Sequence, residues 1–302
     1  MMTQPQLSSP PAPPVEPRRK SATGRVLTGL GVGIAAVVVA FGALFLVDLS
    51  MSSTATAHES YDAVGSVQIV TDGDVTVRAG EGGIEVDVIA HSGLREPTYS
   101  ADDSASALEL THRCGWAVAL PRCSGELDVT LPTDTEVVVR TENGDVVASG
   151  LAGEVSLDSS NGTVETTDIG GVLSARTSNG DIDVRASAAD VDAASSNGDI
   201  SVTDVDGSVT TVTSSGDIAV DVVTGDVSAD ASNGDVEVSG VDGSVDGRSD
   251  NGEVTVTGDG EPVALTIETS NGDQVIEGPT DPDAERTVEI RSSNGDVAYL
   301  DR

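Results

Sequence analysis

The chain has 302 residues, with 15 Lys+Arg against 51 Asp+Glu, a formal net charge of −36 and 2% aromatic residues. So acidic a chain excludes nucleic-acid binding through a basic surface, and so few rings leave few platforms for stacking sugars or bases. Yet 37% of residues are hydrophobic and 34 are Gly, which excludes a simply disordered chain and points to a thin core of small and β-branched side chains.

Residues 1–24 contain Pro5, Pro10, Pro11, Pro13, Pro14 and Pro17 and the basic group Arg18, Arg19 and Lys20. They read as a short disordered tail. Residues 25–47 read as one transmembrane helix. Within them Val26–Val47 is 22 residues without a charge, roughly 33 Å of helix and enough for a bilayer core. Arg25 bounds one end and Asp48 the other, and from residue 48 onward stand 50 acids and 11 arginines, a balance of −39. Positive charge stays inside, so the expectation is a single-pass protein of the cell membrane. Its N-terminus is then cytoplasmic and its C-terminal part extracytoplasmic. The alternative is a signal peptide cleaved after Ala57 at Ala55-Thr56-Ala57. The apolar run exceeds the roughly 7–15 residues of a signal core, which favours the retained anchor. Residues 48–60 are small and polar and read as a tether.

Residues 61–140 alternate as strands do, at Val67 and Ile69, Val75 and Val77, Ile84, Val86 and Val88, Leu127, Val129 and Leu131, and Val137 and Val139. They form an N-terminal β part of the ectodomain. The only two cysteines, Cys114 and Cys123, fall here, on the side where disulfides persist, and their short separation predicts a local bridge. A zinc site lacks further ligands, with only His112 near in sequence, and a redox pair lacks CxxC spacing.

Residues 141–302 carry the decisive pattern. Asn143-Gly144-Asp145, Asn161-Gly162-Thr163, Asn179-Gly180-Asp181, Asn197-Gly198-Asp199, Ser215-Gly216-Asp217, Asn233-Gly234-Asp235 and Asn251-Gly252-Glu253 recur every 18 residues, with looser copies at Asn271 and Asn294. Three residues after each Asn position stand Val146, Val164, Ile182, Ile200, Ile218, Val236 and Val254, all β-branched. Twelve after it stand Val155, Leu173, Val191, Val209, Val227, Val245 and Val263. Each unit therefore holds two short strands and two turns. A fixed period of this kind predicts an all-β fold, a parallel β-solenoid (β-helix) of 18-residue coils with two short strands each, preceded by the transmembrane helix. An array of antiparallel hairpins with Asn-Gly turns is the alternative, but it needs no constant spacing. Asn and Gly at the corner are expected to supply positive φ, and stacked Asn side chains to hydrogen-bond along the stack. After an insertion around Asp281 and Pro282, Tyr299 and Leu300 are expected to cover the open end.

The run Leu127-Asp-Val-Thr-Leu-Pro132, then Val137-Val-Val-Arg-Thr-Glu-Asn-Gly-Asp-Val146 and the repeated S-S-N-G-D-V/I units resemble the bacterial DUF4097 group of adhesin-like β-strand repeat proteins. The resemblance covers about residues 61–302. It implies an envelope-exposed β-solenoid and brings no catalytic residues with it.

The column Asp145, Asp181, Asp199, Asp217, Asp235 and Glu253 raises calcium, since stacked carboxylates about 4.8 Å apart repel. The calcium β-roll motif GGxGxDxUx does not match, and Thr163 interrupts the column. A solvated acidic corner that keeps the stack soluble is the simpler reading. Catalysis finds no support. The only lysine is Lys20, the histidines His58, His91 and His112 all precede the repeats as exposed tether, loop or strand residues, and no phosphate loop occurs. The sequence thus predicts no catalytic, cofactor or metal residues. It predicts a membrane-anchored extracytoplasmic solenoid with a structural or adhesive role toward an envelope or cell-surface component. An envelope sensor signalling through a membrane protein is the first alternative, and a glycan-acting β-helix enzyme the second.

Overall fold

A computed structural model describes residues 53–92, 98–113 and 124–302. The predicted membrane helix and Cys114 and Cys123 lie outside the described residues. Among the described residues no helix is long and apolar enough to cross a membrane.

The strands before the repeats are β1 (Ser53–Tyr61), β2 (Ser66–Thr71), β3 (Asp74–Gly80), β4 (Ile84–Ser92), β5 (Thr98–Asp103), β6 (Ala107–Arg113) and β7 (Ser124–Pro132). The regular coils supply β8 (Glu136–Thr141), β9 (Val146–Ser149), β10 (Val155–Ser159), β11 (Val164–Ile169), β12 (Leu173–Thr177), β13 (Ile182–Ser187), β14 (Val191–Ser195), β15 (Ile200–Val205), β16 (Val209–Thr213), β17 (Ile218–Val223), β18 (Val227–Ala231), β19 (Val236–Val241), β20 (Val245–Ser249) and β21 (Val254–Thr257). The last are β22 (Ala264–Thr269), β23 (Gln274–Ile276), β24 (Thr287–Ser292) and β25 (Val297–Leu300).

From β8 to β21 the strands alternate between two sheets, and each pairs in parallel with the strand one coil on. Val155 faces Val137 and Leu173, and Ile200 faces Ile182 and Ile218, so the register step is the sequence period itself. Parallel pairing removes the hairpin alternative and places each column of like residues in one line.

Within a coil the inward residues do not keep period 2 throughout. In β11, Val164 and Thr166 are buried, Thr167 and Asp168 are exposed, and Ile169 is buried again. Asp168 has φ of 57°, and the same position is left-handed in the coils from β9 to β19: Gly150, Ala186, Asp204, Val222 and Gly240. That residue turns the chain by one position and brings Leu151, Ile169, Val205, Val223 and Val241 into the core. The core stays thin because small residues, such as Ala175, Ala193, Ala229 and Gly247, line its second sheet. A Cβ at Gly247 would lie 3.1 Å from Val254 Cγ1.

Both ends depart from sequence order. One sheet runs β1-β4-β7-β3-β9 through to β21-β25-β23, and the other runs β22-β24-β20 through to β8-β2-β6-β5. The last coil, β24 and β25, is therefore slotted between β20/β21 and the outermost coil β22/β23. At the other end β2/β3 lies between β8/β9 and β6/β7. Terminal segments fray when only one side is paired. Here the coil nearest each end of the described chain is held on both sides, and the outer coil is tethered at both its own ends.

This order corrects two expectations. Tyr299 is fully buried inside the stack rather than covering its end, and β22/β23 form the outer rung. Residues 53–60 of the expected tether, with Tyr61, form β1, which pairs antiparallel with β4 from Ser53↔Ser92 to Tyr61↔Ile84. Alternation of small residues with His58 and Tyr61 suffices for a strand once β4 offers an edge. With β4 antiparallel on β7 and β5 antiparallel on β6, these strands close the N-terminal end. Tyr61 and Tyr99 pack there against the core, their hydroxyls 3.3 Å apart, and Tyr61 also donates to Glu59. Burial pushes both phenols above their ordinary pKa.

Candidate functional site

The repeated Asn-Gly-Asp corner is the feature that the sequence singled out. It is built from three ladders. Asn161 Nδ2 donates to Asn143 Oδ1 at 3.2 Å, Asn179 to Asn161 at 3.0 Å, Asn197 to Asn179 at 3.1 Å and Asn251 to Asn233 at 3.0 Å. Each also donates to a backbone carbonyl of the preceding coil, as Asn197 does to Ser178 O at 3.0 Å. At Ser215 the amide ladder breaks, and Asn233 keeps only the carbonyl of Ser214. It resumes through Asn294 on Asn251 and Asn271 on Asn294, in the exchanged spatial order.

The second ladder is carboxylate. Asp181 Oδ1 accepts the backbone N–H of Asp199 at 2.9 Å, Asp199 that of Asp217 at 2.9 Å, Asp217 that of Asp235 at 2.8 Å and Asp235 that of Glu253 at 2.7 Å. Thr163 joins as donor to Asp145 at 2.8 Å. The acidic column is thus more than a solvated edge: Asp145, Asp181, Asp199, Asp217 and Asp235 each accept an amide hydrogen that points along the stack. This role was absent from the sequence reading, although the unbroken Asn-Gly-Asp spacing was its signal. The opposite corner repeats the device, with Asp190 accepting from Ser208 N and Asp226 from Ser244 N, each at 2.8 Å.

The third ladder is buried. Ser159, Thr177, Ser195, Thr213 and Ser249 each donate a hydroxyl to the corner glycine carbonyl of the preceding coil, at 2.8–3.1 Å. Ala231 occupies that position once and has no hydroxyl to give. The glycines themselves are there for space. None of the corner Asn or Gly residues has positive φ, contrary to expectation. A Cβ at Gly198 would lie 1.9 Å from Gly180 O, and one at Gly162 1.9 Å from Gly144 O. Close stacking of corners requires glycine, and the left-handed turn sits further on, at Gly150, Asp168 and their equivalents.

Of the histidines, His58 on β1 hydrogen-bonds Asp87 at 2.8 Å and His91 on β4 meets Thr54 at 3.0 Å, both exposed. His112, read as exposed, is fully buried, and neither ring nitrogen has a hydrogen-bond partner. A Cβ at Gly125 would lie 2.0 Å from its Cε1, so the ring fills space above that glycine. Burial holds its pKa below the ordinary value, against the opposing pull of Asp72. The alternating pattern of β6 places residue 112 inward, and that parity was the available signal. Among the described residues no group of three or more His, Cys, Asp or Glu side chains is arranged to hold a metal.

The outward faces are columns of small polar groups. On one sheet Ser156, Ser174, Asp192, Thr210, Ser228 and Asp246 stand in register. Arginines on this face are paired locally, Arg176 with Asp192 at 2.9 Å and Arg248 with Asp246 at 2.6 Å. Exposed pairs of this kind contribute about 1 kcal/mol at most.

Residues 171–300 match the family described as Toastrack DUF4097. The matched stretch runs from the start of β12 to the end of β25 and so includes the slotted last coil. No curated protein matches the chain. Among solved structures, similarity extends to a "putative adhesin" of Bacteroides fragilis, at 12% identity over 83% of this chain and 97% of that one, with a TM-score of 0.43. A "putative lipid binding protein" of Parabacteroides distasonis is 11% identical over 82% and 96%, with a TM-score of 0.47. A "putative cell adhesion protein" of Clostridium sporogenes is 12% identical over 83% and 100%, with a TM-score of 0.24.

Proposed function

We propose that this protein is a membrane-anchored, extracytoplasmic β-solenoid whose role is structural or adhesive, binding an envelope or cell-surface component along its faces and catalysing no reaction. The observation that carries this reading is the in-register repetition of the same small polar positions on successive coils. Such a face offers one weak contact many times over, and linked weak contacts sum to useful avidity without a deep pocket. The corner carboxylates and amides, by contrast, are spent on holding coils together. The uncharged run Val26–Val47, with basic residues before it and acidic residues after it, supports the anchor and its orientation.

A deletion strain complemented with the full-length gene tests the reading. Loss of attachment that the gene restores supports it, with calcium added or chelated to show whether the acidic faces need a cation. Unchanged attachment with an altered envelope-stress response would replace it with a regulatory role, and turnover of a polysaccharide by the purified protein would overturn the non-enzymatic part.

A further inference from the structure

The two ends of the stack differ. At the N-terminal end β4 and β1 cover one sheet and β5 the other, all antiparallel. At the C-terminal end β22 and β23 are the last strands of their sheets. Residues 279–281 bridge Val263 just before β22, and along β22 and β23 themselves no further strand among the described residues pairs on the outer edge. We propose that this end is a strand-docking site, which takes an extended polypeptide of neutral or basic character as one further parallel coil.

The chemistry of the guest follows from what the outer rung leaves unfilled. Asn271 donates to Asn294 and Asp273 N–H to Asp296, so both residues serve the rung beneath them. Among the described residues nothing donates to Asn271 Oδ1, to the Asp273 carboxylate or to Gly272 O on the outer side. In the regular coils Asn143, Asn161, Asn179 and Asn233 take an Asn amide from the next coil, Asp145, Asp181, Asp199, Asp217 and Asp235 take its backbone N–H, and every corner glycine carbonyl but that of Gly216 takes its Ser or Thr hydroxyl. A guest with Ser or Thr two residues before Asn-Gly supplies all three. It also needs the glycine, because a Cβ stacked on a corner carbonyl meets it at about 2 Å throughout the stack.

Apolar surface at the same edge favours occupation. Ile276 is 51% and Val275 40% exposed, and Leu265 and Ile267 are half-buried at the end of the core. Lysine, one of the residues that guard natural edge strands, does not occur there. The rim is instead acidic, with Glu268, Asp273 and Glu277 all exposed, which disfavours an acidic guest and favours a neutral or basic one. A second copy cannot continue the parallel stack from its N-terminal end, since antiparallel strands cover that end. Pairing by strand addition takes affinity from main-chain bonds and specificity from alternate side chains.

The test uses the full-length chain and a labelled 18-residue peptide built on residues 191–208, with its aspartates replaced by asparagine. Fluorescence anisotropy should show saturable binding. Binding should weaken at least about tenfold when the peptide carries Gly198→Val, and to the same degree when the chain carries Ile276→Lys. Ile276 is exposed, so the variant's unfolding midpoint should equal the parent's, and this separates a blocked edge from a misfolded one. No saturable binding, or equal binding to the Ile276→Lys chain, or equal binding of the Gly198→Val peptide, overturns the proposal. So would a concentration-dependent dimer dissolved by Ile276→Lys, because the edge would then belong to a second copy.

Discussion

Replacing Gly198 with Ala tests the central stacking argument. The new Cβ would fall 1.9 Å from Gly180 O and 2.5 Å from Gly180 C, whereas real Cβ contacts stay beyond 3.0 Å. Both groups are backbone, so neither can swing aside, and the corner must open by about 1 Å. Four bonds cross or adjoin that corner: Asn197 to Ser178 O at 3.0 Å, Asn197 to Asn179 at 3.1 Å, Asp199 N–H to Asp181 at 2.9 Å and Thr213 to Gly198 O at 3.1 Å. A bond lengthened by that much is lost, and each contributes about 0.5–1.5 kcal/mol net. The expected cost is about 2–6 kcal/mol, read as a lower urea midpoint at unchanged slope. At a glycine with ordinary φ and open space the same change would gain about 0.4–1 kcal/mol by restricting the unfolded chain. The two accounts differ in sign. A cost below about 0.5 kcal/mol would refute the claim that corner glycines exist for stacking clearance.

Four further outcomes follow from the same structure. Val222 is β-branched at φ of 58° and 43% exposed, so Val222→Gly should stabilise the fold by about 0.5–1 kcal/mol once glycine's own entropy is subtracted, read as a higher urea midpoint. Asp217→Ala should cost about 1–2 kcal/mol in urea unfolding by leaving the Asp235 N–H without its acceptor, while Asp217→Asn, which keeps an oxygen there, should cost much less. Thr211 Oγ1 is buried without a partner, so Thr211→Val should stabilise by about 1 kcal/mol, measured the same way. His112 has a lowered folded-state pKa, so the unfolded chain binds the proton first and stability falls as pH drops below the ordinary histidine value; His112→Leu should flatten urea midpoints across that range.

Val146, Ile182, Val191 and their column mates were legible as core because a fixed spacing of β-branched residues has few other meanings. The Asn ladder was legible for the same reason. The left-handed column was not: Gly150, Asp168, Ala186, Asp204, Val222 and Gly240 share no chemistry, since the constraint there is on the backbone and is enforced by stacking on neighbours. His112 continues the inward parity of Leu108 and Leu110, but its polar side chain argued for exposure and outweighed that parity. Tyr299 was misplaced because sequence order was taken for spatial order.

The sequence by itself determined the coil: its 18-residue period, its two strands, its parallel register and its corner chemistry. These are properties of one repeat against the next, and a repeated string states them many times. Only the tertiary structure decided how the stack ends. Slotting the last coil under β22/β23, capping one end with antiparallel strands and leaving the other edge open depend on single contacts between distant, unrepeated segments, for which no period exists to be read.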